Sequence, residues 1–382
     1  MRKGKELSES NDKGGTTMMR KHNRGLCFAT VVAAIFWITG TSGFSADRPF
    51  YQGKTLTVLI NYAAGGPTDI EGRVLARHLG NHIAGHPRVV VKNMGGAGGI
   101  VGTNYLGQVS KPNGLTMGFF TGSVFRYQIR DPGLQVDLKK FGFVAAIEGN
   151  SVSYIRSDVP PGIKKPEDLL KAKRFKAGGL NIDSSKDVRF RLSLDLLKVN
   201  YDYVTGYSSS SKARAAVQRN EIQFHVESLP AYRAVVQPSM VRPGIVTPLY
   251  YTDSVTPDGD VETSPDIPEL LSFTQFYKKV YGKAPSGIKY EALKLANISN
   301  GNLLRQMLVP PGTPQEAITA LRKGITGLME DPKYIADAKK TMKFVPTASI
   351  GEKGEKLFRR VVDAPPELID FIVKYIAAAE NK

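Results

Sequence analysis

Residues 61–69, Asn-Tyr-Ala-Ala-Gly-Gly-Pro-Thr-Asp, set a phenol, two glycines and an acid between an apolar run and a helical pattern. A Gly-rich turn that feeds a helix presents free N–H groups and the positive end of the helix dipole, which favours an anion. Thr68 and Glu71 have the S/T-x-x-E spacing of a capping box, in which each side chain satisfies a backbone donor of the first turn. The residues predict a carboxylate- or phosphate-binding loop on an α/β scaffold.

Other Gly/Ser-rich turns follow predicted strands. Residues 93–103, Asn-Met-Gly-Gly-Ala-Gly-Gly-Ile-Val-Gly-Thr, follow strand 88–92, and Thr121, Gly122 and Ser123 follow strand 115–120. A second region supplies 178–185, 206–211 and 227–228. In open α/β sheets ligands bind beyond the carboxyl ends of the strands, so these turns are expected to face one another. Their donors are amides and hydroxyls, which suit a carboxylate without a strong counter-charge. Glu227 ends an apolar strand and is either a solvated carboxylate or an acceptor for a ligand hydroxyl or ammonium. Tyr62 either packs on its loop or walls the pocket.

Several chemistries are excluded. Gly96-x-Gly98-x-x-x-Gly102 approaches a dinucleotide fingerprint, but the strand about 20 residues on ends in Thr121 rather than an acid. No G-x-x-x-x-G-K-[ST] loop and no G-x-S-x-G elbow is present. His78, His82 and His86 are spaced to share a metal, yet Gly85 is expected to end the helix first and no neighbouring carboxylate completes a site. They read as a solvated helix face, and His225 as a core or interface residue. Asp183 and Asp187 read as cap and first-turn charge rather than an acid/base pair. No catalytic residue, metal or cofactor is expected.

The chain has 382 residues, 41% hydrophobic and 23% charged, a length that favours two domains over a single core. Arg20, Lys21 and Arg24 precede an apolar run at 25–39 and small residues up to Ala46, the pattern of a secretory signal over residues 1–45. The run is shorter than the ~20 residues of a membrane span. Cleavage is expected near Ser45, and Met18 or Met19 is an alternative start. Cys27, the one cysteine, lies inside this segment, so a Cys nucleophile, disulfide or thiolate metal site is not expected after it. Formal charge is +17, and the first 45 residues hold seven Lys/Arg and three Asp/Glu, which leaves +13 beyond them. The basic residues are scattered without an aromatic-basic strip, which describes a solvated surface rather than a nucleic-acid site.

The elements that must position these turns alternate. Strands are expected at 55–60, 88–92, 115–120, 143–147, 151–155, 175–180, 201–205, 222–227, 245–250 and 303–309. Helices are expected at 68–83, 101–109, 165–172, 184–198, 211–220 and 230–236. That alternation predicts βαβ units in parallel sheets. The last third is mostly helical, at 268–281, 285–297, 314–329, 332–340, 351–361 and 366–379, and residues 253–268 read as an exposed loop. Crossings at 148–151 and 237–244 predict a first lobe of 46–148 plus 245–382 around a second of 149–244, with ligand in the cleft.

Four motifs carry a resemblance. They are Tyr62-x-x-Gly65-Gly66-x-x-Asp69, Val89–Val91 with Asn93 and Gly96–Gly99, Pro112-x-Gly114-x-Thr116, and Pro310-x-Gly312-Thr313-Pro314. In this order and spacing, over roughly residues 50–345, the chain resembles the periplasmic receptors of tripartite tricarboxylate transporters, the Bug-type solute-binding proteins. The resemblance implies a two-lobed, type 2 periplasmic-binding-protein fold, a monomer that holds a ligand carboxylate through backbone groups and waters of facing loops. It also implies delivery of that small organic acid to the membrane permease subunits, without catalysis. By position it implies ligand contacts from Tyr62, Ala64, Gly65, Gly66 and Asp69, from Thr121, Gly122 and Ser123, and from Asn181, Ser184, Gly206, Tyr207 and Glu227. Ala64 and Gly95 stand where relatives carry proline, and residues 207–211 form a serine run where many carry Lys-Gly. A sensor component feeding a signalling receptor, and an exported hydrolase or lyase using Asp69 or Glu227, are the rival readings.

Overall fold

Short apolar runs with few breaks form strands that are covered on both faces, and here they build two mixed sheets. The computed structural model describes residues 48–380, so the signal expected over 1–45 lies outside the described residues. Among these the strands are β1 (Thr55–Ile60), β2 (Arg88–Asn93), β3 (Thr116–Phe120), β4 (Gly142–Ile147), β5 (Ser151–Arg156), β6 (Phe175–Gly178) and β7 (Tyr201–Val204). They continue with β8 (Phe224–Ser228), β9 (Val246–Tyr251), β10 (Ser254–Val255), β11 (Val261–Glu262), β12 (Arg305–Val309) and β13 (Ala348–Ile350). The α-helices are α1 (Pro67–Leu79), α2 (Ile100–Gln108), α3 (Ser123–Gln128), α4 (Ser185–Leu196), α5 (Ser210–Gln218) and α6 (Leu229–Ala231). The later ones are α7 (Phe273–Tyr281), α8 (Ile288–Asn297), α9 (Gln315–Glu330), α10 (Pro332–Met342), α11 (Gly351–Val362) and α12 (Pro366–Glu380).

The first sheet has the order β13-β4-β12-β3-β1-β2 and the second β7-β6-β8-β5-β9. β1 runs parallel to β2 and β3, in a register that sets Ile60 opposite both Asn93 and Phe119. In the second sheet β6 is parallel to β7 and β8, with Gly178 opposite Val204. These pairings place the Gly-rich turns of each lobe at one sheet edge. The expectation of purely parallel sheets is corrected: β12 is antiparallel to β3 and β4, and β5 to β8 and β9. An apolar run covered on both faces reads the same in either direction, so the pattern carries no strand sense.

The chain leaves the first sheet after β4 and enters the second at β5. β9 pairs with β5, so the return follows Tyr251 and not residues 237–244. Residues Tyr232–Val241 form a π-helical segment that contains Pro238. Its wider turn accommodates the missing N–H that the sequence pattern takes for a break. Residues 253–268 are likewise not a simple exposed loop: β10 pairs with β11, and Asp253, Ser264 and Ile267 are buried.

One apolar cluster, with Val58, Leu75, Met117, Leu321 and Ile325, joins the first sheet to α1 and α9. A larger cluster is continuous between the lobes, from Phe120 and Phe143 through Leu293, Phe358 and Ile372 to Phe175 and Phe224. The C-terminal helices therefore tie the two sheets together as well as covering them.

Candidate functional site

Because β1, β2 and β3 end side by side, the loops that leave them converge on Asn61, which is fully buried. Its Nδ2 donates to the Thr121 carbonyl at 3.0 Å and the Gly99 carbonyl at 3.3 Å, and its Oδ1 accepts from the Thr121 N–H at 3.0 Å. Gly99 has φ +99°, and a Cβ there would lie 2.3 Å from Asn61 Nδ2, so the close approach requires glycine. Ser123 is drawn into the same joint, its Oγ 2.7 Å from Thr103 Oγ1 and 3.3 Å from Asn61 Nδ2.

Asp69 turns inward. Its carboxylate accepts from the Gly65 N–H at 2.8 Å, Arg73 Nε at 2.9 Å and Asn93 Nδ2 at 2.8 Å. Burial opposes its ionisation, but these donors outweigh burial and hold the carboxyl below the usual range. An amide expected to face an anion is thus already used by the loop's own acid. The capping box is corrected too. Pro67 starts the helix with Gly66 at the N-cap, which puts Thr68 inside the first turn. Thr68 Oγ1 lies 3.1 Å from Thr121 Oγ1, and Glu71 accepts from Arg305 Nη2 at 2.7 Å.

The cleft wall of the first lobe is a small patch. Tyr62 donates its hydroxyl to the Gly98 carbonyl at 3.1 Å. A Cβ on Gly122 would lie 3.9 Å from that carbonyl and 4.0 Å from the Tyr62 hydroxyl, and one on Gly98 would lie 3.3 Å from the Arg126 guanidinium. Burial pushes the Tyr62 phenol up, against the attraction of Arg126 and Arg305, so it stays a neutral donor. Arg126 Nη1 donates to Asp131 at 3.0 Å and, across the cleft, to Asp183 at 2.5 Å. Ala64 and Gly65 are exposed at the rim and Gly66 is half-buried.

The facing wall comes from the turns after β6 and β7. Ser184 caps α4 by accepting the Asp187 N–H at 3.2 Å, and exposed Asn181 accepts the Ser184 N–H through its carbonyl at 3.0 Å. Gly206, at φ +101°, donates its N–H to Leu180, and Tyr207 donates to Gly179. Asp187 is buried, takes the Tyr203 hydroxyl at 2.7 Å, and has its ordinary pKa raised by burial. Glu227, expected at the cleft, is instead paired within its own lobe. It is 3% exposed and accepts from Arg214 Nη1 at 2.6 Å, because α5 packs on β8 and brings that guanidinium over the strand end. His225 donates Nδ1–H to the Gly178 carbonyl at 2.8 Å, which leaves Nε2 to accept from Lys186 at 3.3 Å. Burial, then the Lys186 charge, keep it neutral.

A cavity of about 610 Å³ is lined by Pro67, Ile70 and Arg305 from the first lobe and by Asn150, Ser228 and Leu229 opposite. Arg305 reaches from it to Thr121 Oγ1 at 3.1 Å. Arg126 and Arg305 are the cleft residues that sequence reasoning missed. Arg305 had a signal, as a charge within the apolar strand 303–309. Arg126 lies on α3, which is too short to show a helical period.

His78 and His82 do not form a solvated face. Each reaches a separate carboxylate, Asp337 and Asp331, at 3.0 Å, and so they staple α1 and the turn after it to α10 and its N-cap. Among the described residues no group of three or more His, Cys, Asp or Glu side chains gathers to hold a metal, and no helix is long and apolar enough to cross a membrane.

No protein-family profile matches the chain. It is similar to Protein BugT of Bordetella pertussis, 37% identical over 76 residues, or 19% of this chain and 23% of that one. It is also similar to a UPF0065 protein of Cupriavidus necator, 25% identical over 233 residues, or 59% of this chain and 68% of that one. The chain thus matches under a quarter of the first relative and about two thirds of the second. Among solved structures, a TctC solute-binding protein from Polaromonas superposes with TM-score 0.62 at 17% identity, over 86% of this chain and 99% of that one. A Rhodopseudomonas palustris protein with adipate gives TM-score 0.56 at 16% identity, over 85% and 98%. MatC from the same organism, with bound malate, gives 0.52 at 17%, over 85% and 99%. The chain has the two-lobed periplasmic-binding-protein fold of these structures, and its resemblance to the Bug-type receptors is borne out.

Proposed function

We propose that this protein is a periplasmic, monomeric receptor that closes its lobes on a small organic acid and hands it to the permease of a tripartite tricarboxylate-type transporter. The observation that carries the reading is the Arg126 contact. A guanidinium set among Tyr62, Gly98 and Gly122 on one wall meets a carboxylate, Asp183, on the other. The Asp183 carboxylate occupies the place of a ligand carboxylate, on the kind of charge-assisted bond that binds one strongly. Tyr62 and the amides of the Gly-rich turns then order the rest of the acid, and contact with both walls selects the closed form.

Adipate and malate in two proteins of the same fold support the ligand class. Asp69 and Glu227, the acids a hydrolase or lyase would use, are each committed to an arginine, which favours binding over turnover. Isothermal titration against mono-, di- and tricarboxylates tests the reading. A micromolar binder is expected, and Arg126→Met is expected to weaken it about 30-fold, the worth of one hydrogen bond to a charged group. Absence of any binder, or equal affinity in the variant, sinks the carboxylate assignment. Mass spectrometry of bound acid recovered unchanged separates receptor from enzyme. Cross-linking to permease subunits, rather than to a signalling receptor, separates transport from sensing.

A further inference from the structure

The interior of the second lobe holds a cation without a partner. On α4, Lys186, Arg189 and Ser193 are spaced by three and four residues and share one face. Arg189 is 3% exposed, and its Nε and Nη1 have no hydrogen-bond partner. On α8, Asn297 is 1% exposed and both atoms of its amide are also unpartnered. The two side chains line the same small cavity, with Ser153, Thr252, Phe273 and Leu293 among its walls. No carboxylate lines it, and the one other charged side chain there, Lys186, is directed to Ser210 and His225.

Burial lowers Arg189 from its ordinary value to about 10, so it remains a cation at neutral pH. An uncompensated buried ion costs several kcal/mol, and a buried amide with no partner adds to that cost. A neutral water would satisfy donors without offsetting the charge. The cavity offers about 10 Å³ for the centre of a water-sized particle, on the order of one such particle and too little for an organic acid.

We propose that this cavity is a monatomic-anion site, of chloride class, in which Arg189 Nε and Nη1 and the Nδ2 donor of Asn297 hold the ion between α4 and α8. Its position gives it a task. The start of α4 carries Asp183 and Ser184 into the cleft, while α8 runs into the turn Ile298–Asn302 and then to Arg305 on β12. The anion fixes the cleft loop of one lobe to the segment that leads into the other.

Crystals of the full chain grown in bromide test the site directly. An anomalous peak between Arg189 and Asn297 is expected. In parallel, melting is followed from 1 to 100 mM chloride at constant ionic strength, with gluconate, which is too large to enter, as the balancing anion. The melting temperature is expected to rise by about 3 °C. In Arg189→Met, apolar and of similar length, that dependence is expected to vanish. No anomalous peak with chloride-independent melting would mean that the cavity holds water only, and would overturn the proposal. Unchanged chloride dependence in the variant overturns it equally, and if the variant does not fold, the bromide peak in the native protein decides.

Discussion

Asp69 gathers an arginine, an amide and a side-chain amide around one carboxylate, and in doing so it fixes the shape of the loop that Tyr62 belongs to. Its folded pKa is depressed, so its contribution to stability is present above the unfolded value of about 3.9 and is lost as pH falls through the folded one. Asp69→Asn is expected to destabilise the protein by about 2 kcal/mol at pH 7, with the gap to wild type closing as pH falls below the unfolded value of about 3.9 and through the depressed folded one. Urea unfolding across that range checks it, and a gap independent of pH would contradict the assignment. At this scale the glycines and hydroxyls of the site were legible, because turns that need unusual backbone angles need particular residues. The arginines were not. Arg126 and Arg305 reach the cleft only through tertiary packing, and Glu227 is turned from it by Arg214, thirteen residues away. No local pattern reports such pairings.

The ten strands expected from apolar runs all occur, because a short apolar run bounded by turn residues marks a strand whatever its neighbours do. β10, β11 and β13 are two or three residues long, and α3 begins inside a Gly-Ser turn, so none has room for a period. α12 was legible as a helix, though its task was not. It packs on α8 and buries Ile369, Ile372 and Ile376, and Tyr375 donates to Asp195 on α4 at 2.9 Å. Three such side chains contribute roughly 6 kcal/mol together. Truncation before Pro366 is therefore expected to lower the melting temperature by about 10 °C, as read by calorimetry. A loss of only a degree or two would mean that the helix is an accessory layer.

At the scale of the whole molecule, the links that join the lobes include the continuous apolar cluster behind the sheets and, at the cleft, the Arg126–Asp183 bridge. The first resists separation without setting an angle, whereas the second is polar and exchangeable. Asp183→Asn is expected to increase the radius of gyration of the ligand-free protein in X-ray scattering, and to leave the ligand-saturated value unchanged. Identical ligand-free curves for the two proteins would remove the bridge from any role in closure. Asn181, exposed two residues from that bridge, has a practical consequence. Cys27 is the sole cysteine of the chain, so a thiol placed at position 181 would stand alone from residue 48 to residue 380. One dye attached there, at the cleft rim of the second lobe, would convert ligand capture into an optical signal, a reagentless biosensor with no second thiol between residues 48 and 380 to compete for the label.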